Sequence, residues 1–373
     1  MRLRIAVIIP GFPERNNDWF LPSISKLQVE LKKYVDITVF ALSHPRSNES
    51  YEWQGLPVQS FGAWRKGSWL PVCLVSLVKQ HSKTKFDLIH AYWATEPGLV
   101  GALAKRILGI PLLITGLGSE FVSLPEINYG AQLKWRWRRL LPFVLRNADG
   151  IIYGSKAQME MSKKVNGFAS GSKILLPIGA EIKSNHIKDK KSHNIRLLTV
   201  SSLIAVKNIG LILQAMVKLP KTVTLKIIGD GPLRNDLEKL SRNLGLNERV
   251  DFMGWIHHEE MYQYHDSSDI LVHASVHEGE CFAIQEALAA GLPVVSSNVG
   301  IAMDVVIPGT NGFLFDPKKP GELTGAINKF VFHPELCQSF ATASLAIAQE
   351  KLNRLKQVPK LINLYTKMVG KKA

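Results

Sequence analysis

HEGECFAIQEALAAGLPVV, residues 277–295, joins an acidic loop to a short apolar helix and then to an apolar strand. It follows DILVHAS, a short apolar run of the kind that forms a buried strand. A helix is expected from Phe282 to Ala290, with Gly291 as its C-cap and Pro293 opening the next strand. Strand, loop, helix and strand in that order form a βαβ unit of a parallel sheet.

The same alternation extends in both directions. LRIAVII, DITVFAL, FDLIHAY, PLLITG and GIIYGS read as buried strands in the first half. PSISKLQVELKKY and EPGLVGALAKRILG between them read as helices, the latter stopped by Gly109 and Pro111. In the second half IRLLTVS, VTLKIIG, RVDFMG, LPVVSS and GFLFDP are strands, with helices at NIGLILQAMVKL and PLRNDLEKLSRNLG. The fold class is therefore α/β, with two doubly wound Rossmann-like domains. Residues 1–183 form the first domain and 195–340 the second. KSNHIKDKKSHN, residues 183–194, is polar and charged, and the linker is assigned to 184–194. Residues 341–373 form a helical tail, broken at Pro359, that crosses back to the first domain.

The chain has 373 residues, 46% of them hydrophobic, enough for two cores. Residues 1–183 hold 24 Lys and Arg against 13 Asp and Glu, a net +11 of the total +15. An excess so placed favours an anionic partner for the first domain. Three scattered cysteines point to a reducing, cytoplasmic setting. The apolar core of MRLRIAVIIPG is only about five residues, short for a secretory leader, and no run reaches the roughly 18 residues of a membrane span.

In doubly wound sheets ligands bind beyond the carboxyl ends of the strands, where a helix N-terminus favours an anion such as a diphosphate. Gly279 lets the backbone approach such a ligand. Glu278 precedes the helix, and Glu286 lies early in it with its side chain leaning towards the N-terminus. Two carboxylates so placed can accept hydrogen bonds from hydroxyls on either side of a bound phosphate. A sugar–diphosphate–ribose ligand has that layout.

Glu278 and Glu286, followed by ALAAGLPVVSSNVG, resemble the E-x7-E signature of the retaining glycosyltransferases of family 4, which have the GT-B fold. LKIIGDGPLRNDLEKLSRNLGLNERVDFMGWI and DVVIPGTNGFLFDP are similar to that family's flanking segments. The resemblance is strongest over residues 195–317. It implies that Glu286 holds the ribose hydroxyls of a nucleoside-diphosphate sugar and that Glu278 contacts the donor sugar. It also places Lys207 on the diphosphate, where a cation would neutralise the charge of the leaving group without a metal. Backbone groups of Gly279, Cys281 and Phe282, the turn at Gly229 and Gly231, the hydroxyl of Ser202 and the ring of Trp255 complete the implied donor site. On the acceptor side stand His90, at a strand end, with Gly118 and Glu120 of LGSE. The chain departs from the family pattern at Ser201-Ser202, usually Gly-Arg, and at Glu280-Cys281, usually Phe-Gly. It departs again at Leu117, usually His, and at Ile178, usually the Asn of a PNG turn.

The implied activity is a metal-independent hexosyltransfer with retention, to a hydroxyl of a lipid-linked or polysaccharide precursor of the cell envelope. No cofactor is expected, and His257 and His258 are adjacent rather than at metal-ligand spacing. LKWRWRRLLPFVLR, with Lys134, Trp135, Arg136, Trp137, Arg138 and Arg139, reads as a peripheral contact with an anionic membrane. A sugar-nucleotide epimerase on the same scaffold, or a degenerate nucleotide-sugar-binding protein, are the alternatives. Nothing beyond charge favours nucleic acid.

Overall fold

Apolar runs with few charges form parallel strands covered on both faces, and the computed structural model contains two such sheets. It describes residues 2–14, 18, 20–62, 69–165, 171–183 and 194–370. The chain divides into one unit of residues 1–178 with 354–373, and another of residues 179–353. The doubly wound α/β class expected for both halves is the class observed.

In the first unit the strands are β1 (Arg4–Gly11), β2 (Asp36–His44), β3 (Ser50–Trp53), β4 (Leu56–Ser60), β5 (Leu88–Tyr92), β6 (Leu112–Gly116), β7 (Gly150–Tyr153) and β8 (Ser172–Leu175). They lie in the order β3-β4-β2-β1-β5-β6-β7-β8. All pairs are parallel except β3 with β4. That hairpin is absent from the sequence reading. Its two-residue turn, Gln54-Gly55, has positive φ at both positions, 46° and 74°, as a type I′ turn demands. Gln54 is an uncommon choice there, and Pro57 is tolerated because β4 pairs with β2 only from Val58 onward.

The second unit has β9 (Arg196–Val200), β10 (Thr224–Ile228), β11 (Val250–Gly254), β12 (Ile270–His273), β13 (Val294–Ser297) and β14 (Gly312–Phe315). Their order is β11-β10-β9-β12-β13-β14, all parallel. β9 and β12 are pinned at their starts. Asp269 accepts from the Arg196 backbone N–H and from its guanidinium at 2.8–2.9 Å. This sets the register of the strand that ends at the functional loop.

Three expectations change. The division falls at Ile178/Gly179 rather than at 183, and residues 341–353 belong to the second unit. Residues 184–193 of the expected linker lie outside the described residues. The tail is not broken at Pro359, which sits inside a helix running from Arg354 to Gly370. Proline there removes one ladder hydrogen bond without ending the helix.

That helix joins the first unit through Tyr365, whose hydroxyl lies 2.7 Å from His90 Nδ1. His90 Nε2 is 2.7 Å from Thr115 Oγ1, and the ring stacks on Tyr92 at 4.4 Å. His90 is 0% exposed, which corrects its assignment to the acceptor side: both ring nitrogens are held inside the core. Burial lowers its pKa from 6.5 to about 3. The unfolded state therefore binds the extra proton first, and stability falls as pH drops from 6.5 towards 3. We expect His90 to contribute a loss of about 1.4 kcal/mol per pH unit in that window. Urea unfolding at stepped pH, with His90→Gln lacking this slope, checks it; equal slopes would reject it.

Candidate functional site

The carboxyl end of β12 opens into the loop that carries Glu278, and four side chains meet there. Glu278 Oε1 accepts from Ser275 Oγ at 2.7 Å, lies 3.0 Å from His273 Nε2 and pairs with the Lys207 ammonium. The Glu278 side chain is 10% exposed and that of Lys207 21%. Burial alone would raise the Glu278 pKa. The Lys207 and His273 charges outweigh it and hold the carboxyl well below the usual carboxylate range. Burial likewise pulls His273 down, but the Cys281 sulfur and the Glu278 carboxylate lift it to about 9. The site thus keeps a carboxylate ionised in a largely dry setting by surrounding it with donors.

Lys207 reaches this point because its short 3-10 turn, Ala205–Lys207, follows β9, and the Val276 N–H donates to Val206 O at 2.9 Å. Sequence reading paired neither His273 nor Ser275 with Glu278. The signal was available in DILVHAS, where a histidine ends an otherwise apolar strand.

The expected helix runs from Phe282 to Ala289, with Gly291 at φ 72° just beyond its end. Cys281 precedes it at φ 41°. The first turn of a helix leaves N–H groups without intrahelical acceptors, so the backbone of Phe282 is placed to serve an anion. Gly279 is buried beside Glu278. The Glu280 carboxylate, which sequence alone would leave near a diphosphate, is 2% exposed and accepts from Gln285 Nε2 at 2.7 Å. Gln285 also accepts the Gly179 N–H at 2.9 Å.

Glu286 does not join Glu278. Its side chain is 17% exposed, with His258 Nδ1 at 3.9 Å. His258, set aside as a metal ligand by spacing, thus acquires a place beside the second glutamate. Trp255 is 55% exposed just past β11, with its ring 4.5 Å from that of His257, so it is not a core residue.

Gly229 and Gly231 follow β10 and back onto the loop after β9. A Cβ on Gly229, at φ 126°, would stand 1.9 Å from Ser201 O, and one on Gly231 would stand 2.6 Å from Leu203 O. Glycine is required at both for this close approach. The neighbouring Ser202 is exposed.

In the first unit the LGSE segment serves a structural end. Glu120 is 0% exposed and accepts from the N–H groups of Ala94, Leu117 and Gly118. Burial raises its pKa while those N–H groups oppose the rise. Gly118 is buried at φ 130°. Glu120 therefore pins a loop, which corrects its assignment as an acceptor-facing group.

The basic stretch forms a helix from Trp135 to Asn147. Trp137, Leu141, Val144 and Leu145 pack inward, so the expectation that both tryptophans and the leucines meet lipid is corrected. Lys134, Arg136, Arg138, Arg139 and a 68% exposed Trp135 form its outer face. The Arg139 guanidinium lies 5.4 Å from the centre of the Trp135 ring. A pocket of about 420 Å³ borders this helix beyond the carboxyl ends of β1 and β2, with Leu42, Leu70, Leu99, Trp137 and Leu140 in its wall. Arg136 and Glu96, 3.8 Å apart, contribute opposite charges to it. Among the described residues no helix is long and apolar enough to cross a membrane.

Known proteins share this organisation. Residues 181–345 match the family Glycosyl transferases group 1, and residues 24–168 match Glycosyl transferase 4-like domain. Alpha-monoglucosyldiacylglycerol synthase of Streptococcus pneumoniae is 25% identical over 295 residues, 74% of this chain and 66% of that protein. The chain spans 58 to 67% of the length of this and two other curated relatives. Sucrose-phosphate synthase from Thermosynechococcus elongatus has a TM-score of 0.86 at 21% identity, over 99% of this chain and 100% of that one. Anabaena HepE in complex with UDP-glucose has a TM-score of 0.78 at 21% identity, over 97% and 99%. At these identities the two structures show the fold alone. Neither family match favours the epimerase alternative. With one match over each unit, the chain belongs to the glycosyltransferases of the GT-B fold, its second unit a group 1 domain and its first a glycosyl transferase 4-like domain.

Proposed function

We propose that this glycosyltransferase moves a sugar from a nucleoside-diphosphate sugar to a hydroxyl acceptor with retention of anomeric configuration, and without a metal. The observation that carries the reading is the ionised, buried Glu278 held by Lys207, His273 and Ser275 at a strand end beside a helix N-terminus. In this reading Glu278 accepts from donor-sugar hydroxyls. Lys207 and the backbone N–H groups at Cys281 and Phe282 take the diphosphate. Ser202 adds an uncharged donor, Trp255 stacks near the base, and Glu286, with His258 beside it, holds the ribose. Charge grows on the diphosphate as its bond to the sugar breaks. A fixed ammonium and helix N-terminus stabilise that charge most in the transition state. The expected result is sugar transfer from at least one UDP-, GDP- or ADP-sugar in excess EDTA. Activity abolished by EDTA and restored by magnesium would reject the metal-free reading.

The acceptor is lipid-linked in this proposal, and the protein is peripheral to an anionic cytoplasmic membrane face. The apolar pocket of the first unit suits a hydrocarbon portion, and the cationic outer face of Trp135–Asn147 suits the lipid surface. A named relative also synthesises a glycolipid. Each cation near an anionic bilayer is worth about 1 kcal/mol. The full chain should sediment with anionic but not neutral vesicles, less so in high salt or after replacing Arg136, Arg138 and Arg139 with Ser. A wild type indifferent to anionic vesicles would favour a soluble acceptor.

A further inference from the structure

The loop after β12 brings together a histidine, a carboxylate and a thiol. One ligand atom from each of His273, Glu278 and Cys281 lies within 4.8 Å of the other two. His273 Nε2 is 3.0 Å from Glu278 Oε1 and 3.3 Å from Cys281 Sγ. All three residues are buried, at 3%, 8% and 8% exposure. Sequence spacing hides the group because it is assembled from a strand end, a loop and the residue before a helix.

We propose that His273, Glu278 and Cys281 form a binding site for a thiophilic divalent cation of the zinc class. Ligand bonds of about 2.0–2.3 Å in a tetrahedron put ligand atoms about 3.3–3.6 Å apart. The two separations at His273 Nε2, 3.0 and 3.3 Å, need to open by only a few tenths of an ångström. The donor set, one thiolate, one imidazole and one carboxylate, is soft to borderline and suits zinc better than magnesium or calcium. The ligands are also held from behind. Ser275 orients the Glu278 carboxylate, and β12 fixes His273. Cys281 occupies a left-handed backbone position at φ 41°, where a side chain costs conformational energy and glycine does not. From that position the thiol aims its sulfur at His273 Nε2, 3.3 Å away.

The cation would take the same Glu278 oxygen that Lys207 and Ser275 now share, withdrawing it from donor-sugar hydroxyls and repelling the Lys207 ammonium from the carboxylate that positions it. Coordination requires a thiolate and an imidazole nitrogen without its proton, so any proton on either ligand atom passes to solvent. Occupancy therefore opposes sugar-donor binding, and the site is inhibitory. This last consequence rests on the donor-site reading; cation binding itself does not.

The test is titration of the EDTA-stripped, dialysed full chain with Co²⁺, followed by displacement with Zn²⁺. We expect one equivalent bound, with a near-ultraviolet thiolate-to-cobalt charge-transfer band that zinc abolishes. Cys281→Gly, which relieves the backbone strain and so keeps the fold, should lose the band. His273→Gln should weaken binding by about 100-fold or more. No band in the wild type, or a band that survives Cys281→Gly, overturns the proposal. Stoichiometric zinc should also weaken donor binding in the wild type but not in Cys281→Gly. A cobalt band with unchanged donor affinity would uphold the cation site and overturn the donor role of Glu278.

Discussion

Lys207→Ala is expected to lower kcat by about 10²–10³-fold, the usual cost of removing one preorganised donor from developing negative charge. Lys207 is the ammonium paired with Glu278, and it holds that carboxylate well below its ordinary pKa. In the donor complex proposed above the same ammonium faces the diphosphate, where its effect would increase as the glycosidic bond breaks. The loss should therefore appear mainly in kcat rather than in donor KM. Glu278 keeps His273 and Ser275 in the variant, so the fold should survive, and a melting curve establishes that independently. A kcat within threefold of wild type would remove Lys207 from the transition state.

Glu286→Gln should weaken donor binding by about ten- to a hundredfold, with kcat at saturating donor much less affected. A carboxylate accepting from two ribose hydroxyls makes charge-assisted bonds of about 1.5–3 kcal/mol each, and the amide keeps only part of that. The side chain is partly exposed, and His258 at 3.9 Å is beyond direct hydrogen-bond length, so little stability depends on that contact. Calorimetry with the donor measures the difference directly. Equal dissociation constants for the two proteins would end the ribose assignment.

The central strands were legible because each is an apolar run of helix-excluding length bounded by turn residues. LLITG and LIHAY are buried at every position, as parallel strands should be. Ser50–Ser60 was not legible: an edge hairpin with Glu52, Pro57 and a Gln-Gly turn lacks the usual strand signals. The acids of the 277–295 segment could be placed on loop and helix from pattern alone. Their electrostatic partners could not, since Lys207 lies 71 residues from Glu278 in sequence. His90 and Glu120 show the converse difficulty. His90 proves to be the middle residue of β5 and Glu120 lies past the carboxyl end of β6, and hydrogen-bond geometry turns both inward. A strand-end polar residue can serve the loop's own backbone as readily as a ligand.

The helix Arg354–Gly370 belongs with residues 1–178, whereas residues 179–353 form an uninterrupted unit. On the ribosome the unit whose translation starts first is consequently the one completed last. Until Tyr365 emerges, His90 lacks one of its two hydroxyl partners, and the sheet surface that the helix covers is open to chaperones and proteases. The second unit has no such wait. It can close its core while the first remains a partly folded nascent chain, so the order of folding can be the reverse of the order of translation.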